Sequence, residues 1–376
     1  MNKKTAFLYT DAYLTYNLRD DHPLQQKRLK MVYELLQSYG VLDTHGGAVE
    51  WIEPMPCTEE ALLEVHTPDF IEAVARAGGN VPQAASYLRR YGIAAGDTPA
   101  FPGMFDAARL YCGGTVDAAR LVLSGYDSAF NVAGGLHHAH PDRAAGFCTF
   151  NDCALGIHEL LRGGCDRVAY IDIDAHHGDG VQACFYDDPR VLTASLHESG
   201  RSLYPGTGFP EEIGASGAEG SSVNLPLFRY TGDDVWHEAF DAVIPDVLTR
   251  FRADAYVFQF GADAHYADPL AHLMLSSRSW MLAVEKLFAL ASGKPVVITG
   301  GGGYNIKTVA RLWTLVMAHA AGVTLPDTVP TVYANRHGIT HLHDTEPAPL
   351  VADAITQEGR EYAQAQVAEL RGYLGL

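Results

Sequence analysis

Two segments of this sequence carry paired histidines, the first together with acids, at spacings that suit metal-assisted chemistry. The first is Asp172-Ile173-Asp174-Ala175-His176-His177-Gly178-Asp179-Gly180. Read as the end of a strand, it turns Asp172, Asp174 and His176 to one face, because successive side chains alternate. Asp174 and His176 are then natural partners for a divalent cation. A third ligand has to come from another element, and Asp263 sits at the carboxyl end of a second predicted strand. Two carboxylates and an imidazole with open positions suit a catalytic Zn²⁺, and Fe²⁺ is compatible with the same set. The bland alternative is a set of helix caps within a buried hydrogen-bond network. The adjoining His176, His177 and Asp179 weigh against it.

The second segment is Gly134-Gly135-Leu136-His137-His138. Water attacking a carbonyl needs a base for its proton, and the leaving amine needs an acid. Paired imidazoles can share that work when carboxylates orient them, and Asp172 and Asp179 are the acids available. A third segment, Gly300 to Gly303 followed by Tyr304, fails as a dinucleotide fingerprint because position 305 is Asn305. Four glycines instead let the backbone approach a ligand closely, with Tyr304 as a donor to a developing oxyanion. Nucleophilic catalysis is weaker. Ser195 lies near His197 without a G-x-S-x-G elbow, and Cys148 has no obvious activating neighbour.

These residues need a scaffold. Residues 128–133, 167–174, 191–197, 255–261 and 295–300 read as short buried strands, several of them continuous apolar runs. Helical periodicity fills 24–39, 153–161, 234–251, 277–291 and 308–321. The alternation predicts a doubly wound, mainly parallel α/β sheet flanked by helices. Sites in such sheets gather beyond the carboxyl ends of the strands, and every predicted strand here ends in polar or glycine-rich sequence. The Gly/Pro/Ser-rich stretch 204–220 reads as a long site loop, and one domain over 1–376 is expected. The stretch 329–376 carries His337, His341 and His343, matches no usable motif, and reads as packing and surface.

The formal charge is −18, from 27 basic and 45 acidic residues, which argues against generic nucleic-acid binding. The six cysteines form no C-x-x-C pair, as expected for a reducing compartment. After the basic touch at Met1 to Thr5, the apolar stretch 6–11 is too short for a signal segment. No run of about 18 apolar residues exists, so no membrane span is expected. A cytoplasmic soluble enzyme is the default.

With these motifs, the chain resembles the histone-deacetylase family, in the style of its prokaryotic acetoin-utilisation deacetylase branch. The markers run from about His22 to Trp313. They also include Gly146-Phe147-Cys148, Asn151-Asp152, Pro205-Gly206-Thr207-Gly208 and Gly261-Ala262-Asp263. The resemblance implies an arginase/deacetylase-type fold. It implies Asp174, His176 and Asp263 as metal ligands, usually for Zn²⁺. His138 resembles the general base and acid, with His137 as electrostatic support. Asp172 and Asp179 match the orienting carboxylates, and Tyr304 the carbonyl-polarising tyrosine. Phe147 and Tyr204 match tunnel walls, Tyr204 standing where phenylalanine is more usual, and Gly146 lies beside the acyl chain. Asp97 matches a rim acid holding the substrate backbone, and Arg28 an arginine lining the acetate-release cavity. Leu270 matches a position that is glutamate in polyamine-selective relatives. A structural K⁺ or Na⁺ is implied on Asp172, Asp174, His176, Ser195 and Leu196. A second such site is implied at Phe185, Asp188 and Val191, with Ser221 where relatives often carry an aromatic.

The implied activity is hydrolysis of acetyl-lysine in an acetylated protein or peptide. An acetylpolyamine or other small acetylated-amine amidohydrolase is the nearest alternative, and Leu270 disfavours it. A silent acetyl-lysine-binding protein is the alternative from another class. An arginase-like ureohydrolase needs a two-metal carboxylate cluster, which the histidine pair and the tyrosine loop disfavour.

Overall fold

The computed structural model describes residues 3–42, 48–79, 81–94 and 96–376. Met1 and Asn2 of the N-terminal stretch considered above lie outside them. Eight strands are found among the described residues: β1 (Thr5–Leu8), β2 (Glu50–Ile52), β3 (Ser128–Asn131), β4 (Val168–Asp172), β5 (Val191–Glu198), β6 (Ser222–Leu227), β7 (Ala255–Gln259) and β8 (Val296–Thr299). They form one sheet in the order β2-β1-β3-β8-β7-β4-β5-β6, with every pairing parallel. The mainly parallel α/β sheet flanked by helices expected from the sequence is the architecture observed. All strands but β2 are buried throughout, which is why they read as apolar runs rather than as alternation.

Alternation operates inside the molecule instead. On β3 and β4, Ala129, Val168 and Tyr170 enter one apolar cluster, while Phe130, Ala169 and Ile171 enter the other. Helices Met104–Leu123 and Asp152–Arg162 pack together over β3, β4, β7 and β8. Helices Lys27–Ser38, Ile306–Ala321, Ser277–Leu290 and Asp233–Phe251 form a second connected layer. The C-terminal helix Asp353–Leu374 packs on β6 and on Asp233–Phe251.

The register explains where the chemistry sits. Asn131 pairs with Thr299, Thr299 with Gln259, Gln259 with Asp172, Asp172 with Ser195, and Ser195 with Asn224. One polar rung therefore crosses six strands at the carboxyl end of the sheet. The rungs beneath it are predominantly apolar, and the loops above carry the site. The long loop expected at 204–220 runs between β5 and β6 as predicted. No helix among the described residues is long and apolar enough to cross a membrane.

Candidate active site

The strand β4 ends at Asp172, so Asp174 and His176 lie beyond it rather than within it, as the sequence reading had placed them. Their shared direction survives for a different reason. Asp172 Oδ1 accepts the Asp174 N–H at 3.0 Å, and Asp174 Oδ1 accepts the His176 N–H at 3.0 Å. Each carboxylate bonds the backbone two residues on, which mimics a turn and keeps alternate side chains together.

Asp263 arrives from the loop after β7. Its Oδ1 accepts the Ala175 N–H at 2.8 Å, locking the two loops together. His176 Nδ1 lies 3.1 Å from Asp174 Oδ1 and 3.0 Å from Asp263 Oδ2. One ligating atom from each of the three residues falls within 4.8 Å of the others, and all three residues are buried. Burial opposes charging the His176 ring, yet the two carboxylates overcome it and hold the ring protonated. Two buried carboxylates converging on one point call for positive charge there. The donor set, two carboxylate oxygens and one imidazole nitrogen, fits Zn²⁺ or Fe²⁺.

The glycine loop after β8 serves these ligands directly. Gly302 N donates to Asp174 Oδ2 at 2.7 Å, and a Cβ on Gly302 would stand 2.0 Å from Asp263 Oδ2. The close approach anticipated for this loop is thus an approach to the acids themselves. Gln259, the polar end of β7, donates its Nε2–H to the same Asp174 oxygen at 2.8 Å. The sequence reading missed it, although a glutamine closing an otherwise apolar strand is a visible signal.

The histidine pair is equally well held. Asp152 accepts Gly135 N and Leu136 N at 3.0 and 2.8 Å, and Asn151 Nδ2 donates to the carbonyls of His137 and Ala139. His137 Nδ1 is 2.7 Å from Asp172 Oδ2, and His138 Nδ1 is 2.7 Å from Asp179 Oδ1. Their Nε2 atoms are 3.1 Å apart. Ionised carboxylates only accept, so each Nδ1 carries a hydrogen. The two rings differ in charge. Burial works against a charged His137, but Asp172 and Asp174 outweigh it and raise its pKa to about 9. Burial and the charge on His137 push His138 down to about 4 despite Asp179. At neutral pH, His137 is an imidazolium and His138 is neutral, with no hydrogen on its Nε2. Tyr170 and His140, which the sequence reading did not single out, complete the set. Tyr170 donates to Asp172 Oδ2 at 2.6 Å, and His140 Nε2 lies 3.1 Å from Asp179 Oδ2.

A narrow cavity opens over these groups, lined among others by Arg28, His138, Gly146, Phe147 and Tyr304. The Tyr304 ring lies 6.3 Å from the His176 ring and 5.8 Å from Phe147. Burial and the carboxylates of Asp263 and Asp174 keep its phenol protonated, so it is a donor. Its loop is fixed by Asp268, which accepts Tyr304 N at 2.8 Å. Arg28 Nη1 donates to Gly303 O at 2.9 Å, and its Nε is buried with no partner among the described residues, an unused donor at the cavity.

Tyr204 stands at the rim, 44% exposed, its ring edge-on to His138 at 5.0 Å. Asp97 spends Oδ2 on Gly146 N at 2.9 Å. Leu270 follows Asp268 on the Asp263 loop, its N–H bonded to Asp268 Oδ1, and does not line the cavity.

Of the expected monovalent-cation residues, Asp172 and Ser195 face each other in register, and Leu196 follows on β5. Phe185, Asp188 and Val191 form a turn in which Asp188 N binds Phe185 O and Val191 N binds Asp188 O. The Asp188 carboxylate is engaged by Arg190, and Ser221 Oγ is buried without a partner among the described residues. Ser195 Oγ is 2.8 Å from His197 Nδ1, but both are buried and His197 Nε2 bonds Gly208 O, so no substrate reaches this pair. Burial raises the Cys148 thiol, leaving it protonated.

A parallel sheet carrying buried acids and imidazoles beyond its central strands defines an α/β protein with a candidate metal centre at the carboxyl edge of its sheet. The comparisons with known proteins narrow this. The histone deacetylase domain pattern matches residues 22–320. The acetoin utilization protein AcuC of Bacillus subtilis is 41% identical over 335 residues, 87% of this chain and 85% of that protein. The AcuC protein of Staphylococcus aureus is 36% identical over 318 residues, 83% of this chain and 80% of that one. The crystal structure of a histone deacetylase homologue from Aquifex aeolicus superposes with a TM-score of 0.85 at 31% identity, covering 96% of this chain and all of that one. A homologue complexed with SAHA gives the same score at 30% identity, covering 97% of this chain and all of that one. The chain belongs to the histone deacetylase family, in its AcuC-like branch.

Proposed function

We propose that this protein is a zinc-dependent lysine deacetylase, hydrolysing Nε-acetyl-lysine in proteins or peptides to lysine and acetate, with residues 1–376 acting as one catalytic domain. The observation that carries the proposal is the convergence of Asp174, His176 and Asp263 beside the oriented pair His137–His138. A divalent metal on that triad supplies Lewis-acid polarisation of the acetyl carbonyl and lowers the pKa of water.

The remaining chemistry belongs to the side chains. The His138 Nε2 lone pair accepts the proton of the attacking water, since its Nδ1 hydrogen is committed to Asp179. The water oxygen bonds to the carbonyl carbon, and the Tyr304 hydroxyl donates to the oxygen that becomes negative. His138 then returns the proton to the amine nitrogen as the C–N bond breaks. His137, held cationic by Asp172, supplies a fixed positive charge beside the developing oxyanion. Phe147 and Gly146 line the cavity and suit a straight neutral acyl-lysine arm, with Tyr204 beside His138 at its rim, and Arg28 offers its Nε–H to the departing acetate. A structural K⁺ or Na⁺ is proposed at Asp172, Asp174, His176, Ser195 and Leu196.

The test is acetate release from an acetyl-lysine peptide by protein stripped of metal and then reloaded with one equivalent of Zn²⁺, with acetylputrescine as competitor substrate. Activity restored on reloading, and greater on the peptide, supports the proposal. Metal-loaded protein that releases no acetate from either substrate overturns it.

A further inference from the structure

The loop after β7 carries Asp263 and also Asp268, whose carboxylate fixes the backbone of Tyr304. Between them lies His265, 1% exposed. Its Nδ1 accepts the N–H of Ala267 at 3.1 Å, so the ring hydrogen sits on Nε2. That hydrogen points at the carboxylate of Asp344, whose oxygens are 3.0 and 3.1 Å away. Asp344 belongs to the stretch beyond residue 320, outside the matched family pattern, which the sequence alone gave no reason to connect with the site.

Asp344 collects further donors. It accepts Ser277 N at 2.7 Å and both terminal nitrogens of Arg311 at 3.0 Å each, and its own N–H donates to Ser277 Oγ at 2.9 Å. Ser277 begins the helix that follows the Asp263 loop, and Arg311 lies on the helix that follows Tyr304. Asn305, the cap of that second helix, donates to Ala267 O at 3.2 Å. One carboxylate therefore ties together the loop bearing a metal-site acid, the helix leaving that loop, and the helix leaving the tyrosine loop.

We propose that Asp344 is a positioning residue for the active site: through His265 it fixes the loop that presents Asp263. The proposal rests on the reading of Asp263 as a metal ligand. Groups that orient a ligand typically matter by about 10–100-fold in metal affinity when removed. Without Asp344, the His265 N–H and the Arg311 guanidinium both lose a largely buried acceptor, and the loop gains freedom to move Asp263 away from Asp174.

The experiment compares wild type, Asp344→Ala and Asp263→Ala. Zn²⁺ affinity is read by chelator competition, and kcat and KM on an acetyl-lysine peptide. Asp344→Ala is expected to weaken Zn²⁺ binding on the order of tenfold or more and to lower kcat, with KM within about twofold. Loss of folding stability alone moves neither metal affinity nor the split between kcat and KM in folded protein. Wild-type affinity and kcat in Asp344→Ala overturn the proposal. Should that variant fail to fold, Asp344→Asn decides. It keeps one acceptor for His265 and is expected to show an intermediate loss, and a wild-type affinity there is equally fatal. Unchanged Zn²⁺ binding in Asp263→Ala instead overturns the ligand assignment, and this inference falls with it.

Discussion

Two clusters in this molecule set a largely buried carboxylate against a buried histidine, and they are built on opposite charge plans. At Asp344, the carboxylate meets the Arg311 guanidinium, the His265 N–H and the Ser277 N–H. Burial opposes its ionisation, but these donors hold it well below the usual carboxylate range. At the candidate active site, Asp172, Asp174 and Asp263 are all buried, and the groups bonded to them that can carry positive charge are the histidines His137 and His176. Burial and the neighbouring Asp174 push Asp263 up instead. The first cluster balances its charge from the chain's own side chains. In the second, His176 must give up its proton to ligate a metal, which leaves three buried carboxylates against the single imidazolium of His137, and burying such charge unpaired is costly. A fold tolerates that only where something else brings the cation, so the imbalance itself marks the functional cluster.

The contrast is broken or sharpened most strongly by kinetics. His138→Ala removes the group placed to move the proton and is expected to lower kcat by about 10²–10⁴-fold with a folded, metal-loaded protein. Wild-type turnover removes His138 from the mechanism. Tyr304→Phe removes only a donor to the oxyanion, and turnover is expected to fall on the order of 10²–10³-fold. The phenol reaches neither Asp174 nor Asp263 with a hydrogen bond, so Zn²⁺ affinity by chelator competition should hardly change. A large loss of affinity would make Tyr304 part of the metal site.

Next in size is the response to metal. Zn²⁺ at a hundred times its dissociation constant stabilises a folded protein that binds it by about 2.7 kcal/mol. Wild type should show this gain in chemical denaturation. Asp174→Asn should show none, because the variant lacks a ligand and has already relieved part of the repulsion. A gain in Asp174→Asn equal to that of wild type would place the metal elsewhere.

The same contrast explains what the sequence disclosed. The central strands were legible because a strand buried on both faces is an apolar run, and β3, β4, β5, β7 and β8 all are. The edge strand β2 is three largely exposed residues and leaves no such trace, and β6 carries Asn224 and Pro226 within its run. The helix Met104–Leu123 was not among the helices read from periodicity, and its interior carries Gly113 and Gly114. A Cβ on Gly113 would lie 1.8 Å from Met55 O, so close packing rather than a turn requires glycine there. At the site, the acids and histidines stand in short motifs and were readable together. Tyr170 precedes Asp172 by two residues on the same strand face, a relation that alternation could have revealed. Asp344 could not be found this way. Its partner His265 is 79 residues distant, and a single acid outside any motif carries no local signal.

The smallest effect concerns pH, and it sets the two clusters in opposition. An aspartate whose pKa is depressed on folding adds stability above its unfolded pKa of about 3.9, and that stability is lost as pH falls through the lower folded value. Asp344 is such a group, so Asp344→Ala should cost a constant amount above about pH 5 and converge on wild type in acid. An aspartate raised on folding does the reverse. The native state holds its proton longer, so stability falls as pH rises from the unfolded pKa through the folded one. Asp263 is that group in metal-stripped protein. Asp263→Asn should therefore gain on wild type as pH rises, by no more than about 1.4 kcal/mol per pH unit for one proton. Urea denaturation of the three metal-stripped proteins between about pH 2 and 8 reads both slopes at once. Parallel curves for the two variants would mean that the clusters share one charge plan. Added Zn²⁺ should abolish the Asp263 slope in wild type and leave the Asp344 difference standing, because only one of the two carboxylates lacks a cation of its own.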